Sequence, residues 1–407
     1  MGHTHHISRR SLLACAAAGL TTVAPGVRVS FAQTAPATPR DILVVLFQRG
    51  AADWLQMLAP AGDQNYINAR PSLRVQTSGN TPGLGVGTLG GTDFYLHAAA
   101  PELKTLYDSG DLAFVHAVGI HTVDRSHFIC QDMMEKGGAD AEAESHSGWL
   151  ARHLASAGDG GQELSTVAAS ATNPVSLLGE ASAVAIADAQ QFNISGGNAN
   201  GNVIRAINSG ESVYQAVATA SLDAVASVQL GLRTINDTSG TAGYTAGALS
   251  QSLRSVGRLI RMNVGVDVVT VDYGGWDMHN ALAGEFNTRT TEFSRAISAF
   301  WTDMAAYRDR ITLITMTEFG RRLQENASQG TDHGSAAGML VLGGNVNGGK
   351  IYGNWPGLAA SQLTTGDLTV TTDYRQVLAE ILVKRHRETK LAEVFPTIAY
   401  SPLGILS

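Results

Sequence analysis

Four short apolar runs in this chain each end in a cluster of polar and ionisable residues, and this repeated juxtaposition constrains the fold most. Residues 41–47 run into Gln48-Arg49-Gly50-Ala51-Ala52-Asp53-Trp54, and residues 112–118 run into Gly119-Ile120-His121-Thr122-Val123-Asp124-Arg125-Ser126-His127-Phe128. Residues 266–271 lead to Asp272-Tyr273-Gly274-Gly275-Trp276-Asp277-Met278-His279, and residues 311–316 to Thr317-Glu318-Phe319-Gly320-Arg321-Arg322. A near-continuous apolar run of this length reads as a strand buried on both faces, as in a parallel sheet. In open α/β sheets, ligands bind beyond the carboxyl ends of such strands. The reactive residues therefore collect where an active site or metal site would sit.

The segments between the runs predict helices at 97–107, 128–135, 149–157 and 374–384, the last capped by Thr372 or Asp373. Apolar residues near helical spacing from Phe286 to Met304 predict a long helix packed on the sheet. A fifth strand is expected at 338–344, with short strands at 175–178 and 183–186. The Pro/Gly-rich stretch after Trp54, as far as Gly91, reads as mostly loop, and 194–201 as a Gly/Asn-rich turn. The expected fold is α/β, a three-layer doubly wound, mostly parallel sheet. Residues 33–407 form one domain in this reading, with a helical insertion at about 203–262.

The N-terminus carries Ser8-Arg9-Arg10-Ser11-Leu12-Leu13 followed by a short Ala/Gly-rich run. Paired arginines before a modest apolar stretch read as a twin-arginine signal over residues 1–32, with cleavage after Ala32 and a periplasmic or secreted destination. The run is too short to span a bilayer, and no transmembrane segment is expected. Without the signal, 25 Lys and Arg stand against 35 Asp and Glu, which argues against nucleic acid and anionic membrane as partners. Cys130 is then the only cysteine, so no intramolecular disulfide is available and the core must supply the stability. Redox chemistry finds little support in a chain with no Cys-x-x-Cys.

Imidazole nitrogen and carboxylate oxygen are the donors that zinc and manganese take from proteins. The candidates are Asp53; His121, Asp124, Arg125, Ser126 and His127; Asp272, Asp277 and His279; Glu318 and Arg321; and Asp332 with His333 in Gly330-Thr331-Asp332-His333-Gly334. Each has a plainer reading. Asp53 can cap a helix, Glu318 and Arg321 can form an ion pair that orients their turn, and the loop histidines can be ordinary surface groups. His97, His116 and His153 lie in apolar or helical contexts and read as structural.

The mature chain resembles the DUF1501 family in Phe47 to Asp53, Arg125 to Phe128, Gly274 to His279, Thr317 to Arg321, Gly330 to Gly334 and Gly348 to Leu358. That family is similar in turn to the alkaline phosphatase and sulfatase superfamily, which implies an alkaline-phosphatase-like hydrolase fold with metals at the sheet edge. Asp53, Asp277 with His279, and Asp332-His333 match the superfamily pattern in chain order. Asp53, however, lies several residues past its strand. The only histidine after His333 is His386, in the basic stretch Lys384-Arg385-His386-Arg387. No Cys/Ser-x-Pro-x-Arg motif of the sulfatases is present.

The resemblance implies an exported, metal-dependent hydrolase of phosphate or sulfate esters. Asp53, Asp277, His279, Asp332 and His333 would hold a divalent metal such as zinc, manganese or calcium. Ser126 would be the nucleophile and His127 or His121 the proton carrier. Arg49, Arg125 or Arg321 would hold the anionic small-molecule or glycan ester, with Glu318 in the same site. The alternative is a non-catalytic binding or surface-associated protein on a degenerate hydrolase fold. The sequence sets no oligomeric state.

Overall fold

Strand β1, Ile42–Gln48, is buried along its whole length, and its alternate side chains enter two different cores. Ile42, Val44 and Leu46 face Leu253, Val256, Phe293, Phe300 and Trp301. Leu43, Val45 and Phe47 face Met133, Trp149, Leu150, Val377 and Ile381. Each such side chain contributes roughly 1.5–3 kcal/mol by leaving water. A strand buried on both sides needs a helical layer on each face, which makes three layers. The computed structural model describes residues 40–122, 124–138, 146–157, 164–210 and 212–407. The twin-arginine segment expected at 1–32 lies outside the described residues.

The central sheet adds β2 (Leu112–Gly119), β3 (Thr166–Ala168), β4 (Val184–Ala185), β5 (Val268–Tyr273), β6 (Ile311–Met316), β7 (Ala337–Gly343), β8 (Ile351–Tyr352) and β9 (Thr372–Asp373). Their spatial order is β8-β2-β7-β6-β1-β5-β3-β4, with β9 also beside β2. Strand β1 runs parallel to both β5 and β6. Strand β7 is antiparallel to β2 and to β6, so the sheet is mixed.

One helical layer contains α1 (Pro101–Asp108), and the other contains α2 (His127–Glu135) and α3 (Trp149–Ala157). Then come α4 (Gly197–Ile207), α5 (Val213–Thr234), α6 (Ala248–Arg261), α7 (Leu282–Asp303) and α8 (Tyr374–Arg385). Helix α7 buries Phe286, Phe293, Ile297, Phe300 and Trp301, the stripe read from its spacing. Helix α8 starts where expected, because the Asp373 carboxylate accepts a hydrogen bond from the Arg375 amide at 2.9 Å. Helix α6, inside the expected insertion, buries Leu253, Val256 and Leu259 and packs on α7 and β5 as part of the layer.

Several local expectations need correcting. Residues 175–178 form a 3-10 turn, Val175–Leu177, closed by the Leu177 amide on the Pro174 carbonyl, rather than a strand. The Gly/Asn-rich region reading as turn contributes its second half to α4. The stretch before Gly91 contains two short helices and one strand of a hairpin, Leu84–Leu89 with Thr92–Leu96. Its turn residues Gly90 and Gly91 both have positive φ, the conformation two-residue hairpins demand. The three-residue β3 and the hairpin Arg321–Glu325 with Thr331–His333 escaped sequence reading because strands so short show no period.

Candidate metal centre

Strand β1 lies between β5 and β6, so the loops leaving all three strands emerge side by side at one edge of the sheet. Thr317, just past β6, accepts the Ala52 amide at 3.0 Å and donates to the Gln48 carbonyl at 2.8 Å, fastening two of these loops together. Strand β7 runs the opposite way, so His333, shortly before it, arrives at the same edge. Gly50 (φ +108°) permits the third approach: a Cβ there would lie 2.7 Å from the Asp277 amide nitrogen.

Three histidines and one aspartate converge at this edge. His279 Nε2 is 3.0 Å from His333 Nε2 and 3.0 Å from Asp277 Oδ1. His333 Nε2 is 3.3 Å from Asp277 Oδ1, and His127 Nε2 is 3.4 Å from Asp277 Oδ2. Each ring offers its other nitrogen to an oxygen acceptor. His127 Nδ1 meets Glu318 Oε1 at 2.7 Å, His333 Nδ1 meets the Arg125 carbonyl at 2.9 Å, and His279 Nδ1 meets Asp332 Oδ1 at 3.1 Å. Oxygen acceptors at Nδ1 can take the N–H of each ring, which frees the Nε2 lone pairs for a cation placed among them and Asp277. Without a cation, the Asp277 carboxylate accepts from the His279 and His333 Nε2 atoms instead. Among the described residues, His127 Nε2 is closed off from solvent without a hydrogen-bond partner. Ligands bound at roughly 2.0–2.1 Å to a tetrahedral ion stand about 3.3 Å apart, close to these separations. The donor chemistry fits a divalent metal, and His127, Asp277 and His333 form a group able to hold one, with His279 outside that group and its Nε2 3.4 Å from Arg321 Nη1.

Glu318 and Arg321 do not pair with each other as the plain sequence reading had it. Glu318 is buried and receives His127, the Gly50 amide at 2.9 Å and Gln131 Nε2 at 2.7 Å. Arg321, also buried, places Nη2 2.6 Å from Asp277 Oδ1. Its other contacts are the carbonyls of Gly50, Ala51, Trp276 and Thr331 and, at 3.4 Å from Nη1, His279 Nε2. Gly320 between them is obligatory, because a Cβ would come 1.7 Å from the Ala336 carbonyl oxygen.

These contacts set the local protonation. Burial works against the Asp277 anion, but the hydrogen bond and charge of Arg321 overcome it and hold the carboxyl at about 2. Burial likewise opposes the Glu318 anion, and the bonds from His127 and Gln131 keep it below the usual range. The Glu318 bond raises His127, whereas burial lowers His333. Hydrogen bonds from Asn326 and His279 lower Asp332.

The other candidates take different places. Asp53 lies below the centre: its carboxylate caps the short helix Trp54–Met57 and meets buried Arg70 at 2.9 Å and Thr331 Oγ1 at 3.0 Å. Asp332 stands behind His279. His121 is exposed and lines a separate open cleft of about 590 Å³ with Asn354, Thr371 and Asp373. Ser126 occupies the N-cap position of α2, its amide bonded to Asp124 Oδ1 at 2.7 Å. The Arg125 guanidinium is drawn to buried Asp367. Arg49 is bound by Asp272 at 2.9 Å and Glu135 at 3.2 Å. His97 and His116 are structural, as expected. His153 pairs with Glu388 at 2.7 Å and stacks edge-on against His386, which is thereby accounted for away from the centre. Sequence reading missed Gln131, although it lies one helical turn after His127 and shares its face.

The fold and its donor cluster define a three-layer α/β protein with a candidate metal centre at the strand ends. The DUF1501 family, described as protein of unknown function, matches residues 113–391, and the chain belongs to that family. No curated protein matches the sequence. A solved structure described as the C-terminal periplasmic domain of EcEptC from Escherichia coli, in complex with Zn, is 9% identical with a TM-score of 0.36. That match covers 76% of this chain and 75% of the other.

Proposed function

We propose that His127, Asp277 and His333 hold one divalent metal ion, with His279 moving in as a fourth ligand on binding, and that the protein is an exported hydrolase of phosphate or sulfate esters on an alkaline-phosphatase-like fold. The observation that carries the metal is the convergence of three Nε2 atoms, each with its Nδ1 committed to an oxygen acceptor, on one carboxylate. Three imidazoles and one carboxylate suit zinc or manganese better than calcium, which prefers oxygen. Such an ion, when bound, polarises an ester oxygen and lowers the pKa of a nucleophile. Relative to the sequence reading, His127 becomes a ligand, Asp332 orients His279, and Asp53 supports the loops. Ser126, immediately before a ligand histidine, remains the nucleophile candidate. Arg321 is buried with its donors spent on the chain; Arg125 is also paired, with Asp367, but its side chain is 32% exposed, which makes it the more accessible cation for an incoming anion. No helix among the described residues is long and apolar enough to cross a membrane.

A second reading, metal or ligand binding without turnover, draws support from the same commitment of Arg321 and Arg49 to structural bonds. Elemental analysis of protein purified without chelator, followed by an ester panel with the metal found, separates the two. Stoichiometric metal with hydrolysis supports the enzyme. Stoichiometric metal without turnover of any phosphate or sulfate ester supports the binding protein. Absence of metal after reconstitution refutes the centre.

A further inference from the structure

Helix α2 presents His127, Gln131 and Glu135 at intervals of four, so all three lie along one face. Two residues from elsewhere interleave with them. Glu318 sits between His127 and Gln131, at 2.7 Å from His127 Nδ1 and 2.7 Å from Gln131 Nε2. Arg49 sits between Gln131 and Glu135, with Nη1 3.1 Å from Gln131 Oε1 and Nη2 3.2 Å from Glu135. Asp272 holds the Arg49 Nε from the third side at 2.9 Å. The result is a continuous ladder, Glu135–Arg49–Gln131–Glu318–His127, reaching from the buried end of the helix to the centre.

The middle of the ladder is polar in one sense only. A guanidinium can only donate and a carboxylate can only accept, so the Gln131 amide must turn its oxygen to Arg49 and its NH₂ to Glu318. Isosteric glutamate could keep the first bond but not the second. We infer that Gln131 is a positioning residue for the metal centre: it fixes the Glu318 carboxylate so that His127 carries its proton on Nδ1 and presents the Nε2 lone pair to the ion. This rests on the metal reading above and adds a residue that touches no ligand atom. Partners of metal-bound histidines are typically worth 10–100-fold in metal affinity.

The test compares wild type, Gln131→Leu and Gln131→Glu, each shown to be folded by circular dichroism and its urea midpoint. Zinc affinity is measured by competition with a chromogenic chelator. The His127 tautomer is read in the metal-free protein by long-range ¹H–¹⁵N NMR on histidine-labelled samples. Expected are an Nδ1–H tautomer at His127 in wild type, a visible Nε2–H population in both variants, and zinc binding at least tenfold weaker in both. The glutamate variant keeps size and the Arg49 contact, so a merely structural role would leave its zinc affinity unchanged. Equal affinities and an unchanged tautomer in both variants overturn the inference and leave the metal centre standing. Wild type that binds no zinc refutes the centre instead, and the tautomer comparison still decides what Gln131 does.

Discussion

Replacing Asp53 by Ala tests how the strand-end loops are held. The Asp53 carboxylate is buried and fully engaged: one oxygen caps the Gln56 amide at 3.1 Å, and the other receives Arg70 Nη1 at 2.9 Å and Thr331 Oγ1 at 3.0 Å. Arg70 is completely buried, and its other donors already reach the Leu323 and Arg322 carbonyls. Removing one partner of a buried pair strands the other charge, which costs about 3–5 kcal/mol. Losing the cap adds about 1 kcal/mol in isolation. The two losses share one carboxylate and do not simply add, so the expected total is about 4 kcal/mol. Urea unfolding followed by circular dichroism and tryptophan fluorescence should show the midpoint falling with the slope unchanged. Under native conditions the variant should keep the metal stoichiometry of wild type, because Asp53 contributes no atom to the cluster of Nε2 donors. A variant of unchanged stability that has lost its metal would refute this reasoning and return Asp53 to the ligands.

His333→Ala removes one of the two facing Nε2 atoms, and bound metal measured by elemental analysis should fall at least tenfold while the fold persists. Gly320→Ala drives a Cβ against the Ala336 carbonyl and cannot be absorbed by a rotamer, so it should cost more than the roughly 1–3 kcal/mol of ordinary overpacking; a urea midpoint equal to wild type would contradict the packing. His116 should shape the acid limb of stability. Burial lowers it from the ordinary 6.5 to about 4, and its Nδ1 accepts the Ala117 amide, leaving no place for a second proton. The folded state therefore binds fewer protons than the unfolded state below the ordinary value. The contribution is fully present above that value and is lost as pH falls through it toward about 4. The full loss is on the order of 3 kcal/mol, so urea midpoints of His116→Gln should decline less steeply over this range than those of wild type.

The order of reactive clusters along the chain was legible because strands buried on both faces leave long apolar runs, and β1, β2, β5, β6 and β7 all appear close to where those runs lie. The long helix was legible from the spacing of Phe286, Phe293, Ile297 and Phe300. Cap chemistry placed the start of α8 at Thr372 or Asp373, and Asp373 is the cap. The short strands and hairpins were not legible, since their pairing depends on partners distant in sequence. Gln131 carried a signal in its spacing from His127, but only the positions of Glu318 and Arg49 give that spacing a purpose.

Local residue patterns thus determined the long strands and most of the long helices, and that histidines and carboxylates would gather beyond the strand ends. Tertiary structure decided which of them meet. Strand order places the loops after β1, β5 and β6 side by side, and the reversed direction of β7 returns His333 to the same edge. Asp53 and Asp277 look alike in sequence, each following an apolar run with a short lag. Each is held by a buried arginine, Arg70 and Arg321, but the first is sealed inside as structural support while the second stays half-exposed beside three imidazoles. A side chain's role depends on which charge and which lone pair it faces across the fold, and contacts spanning hundreds of residues leave no trace in the local pattern that a single sequence displays.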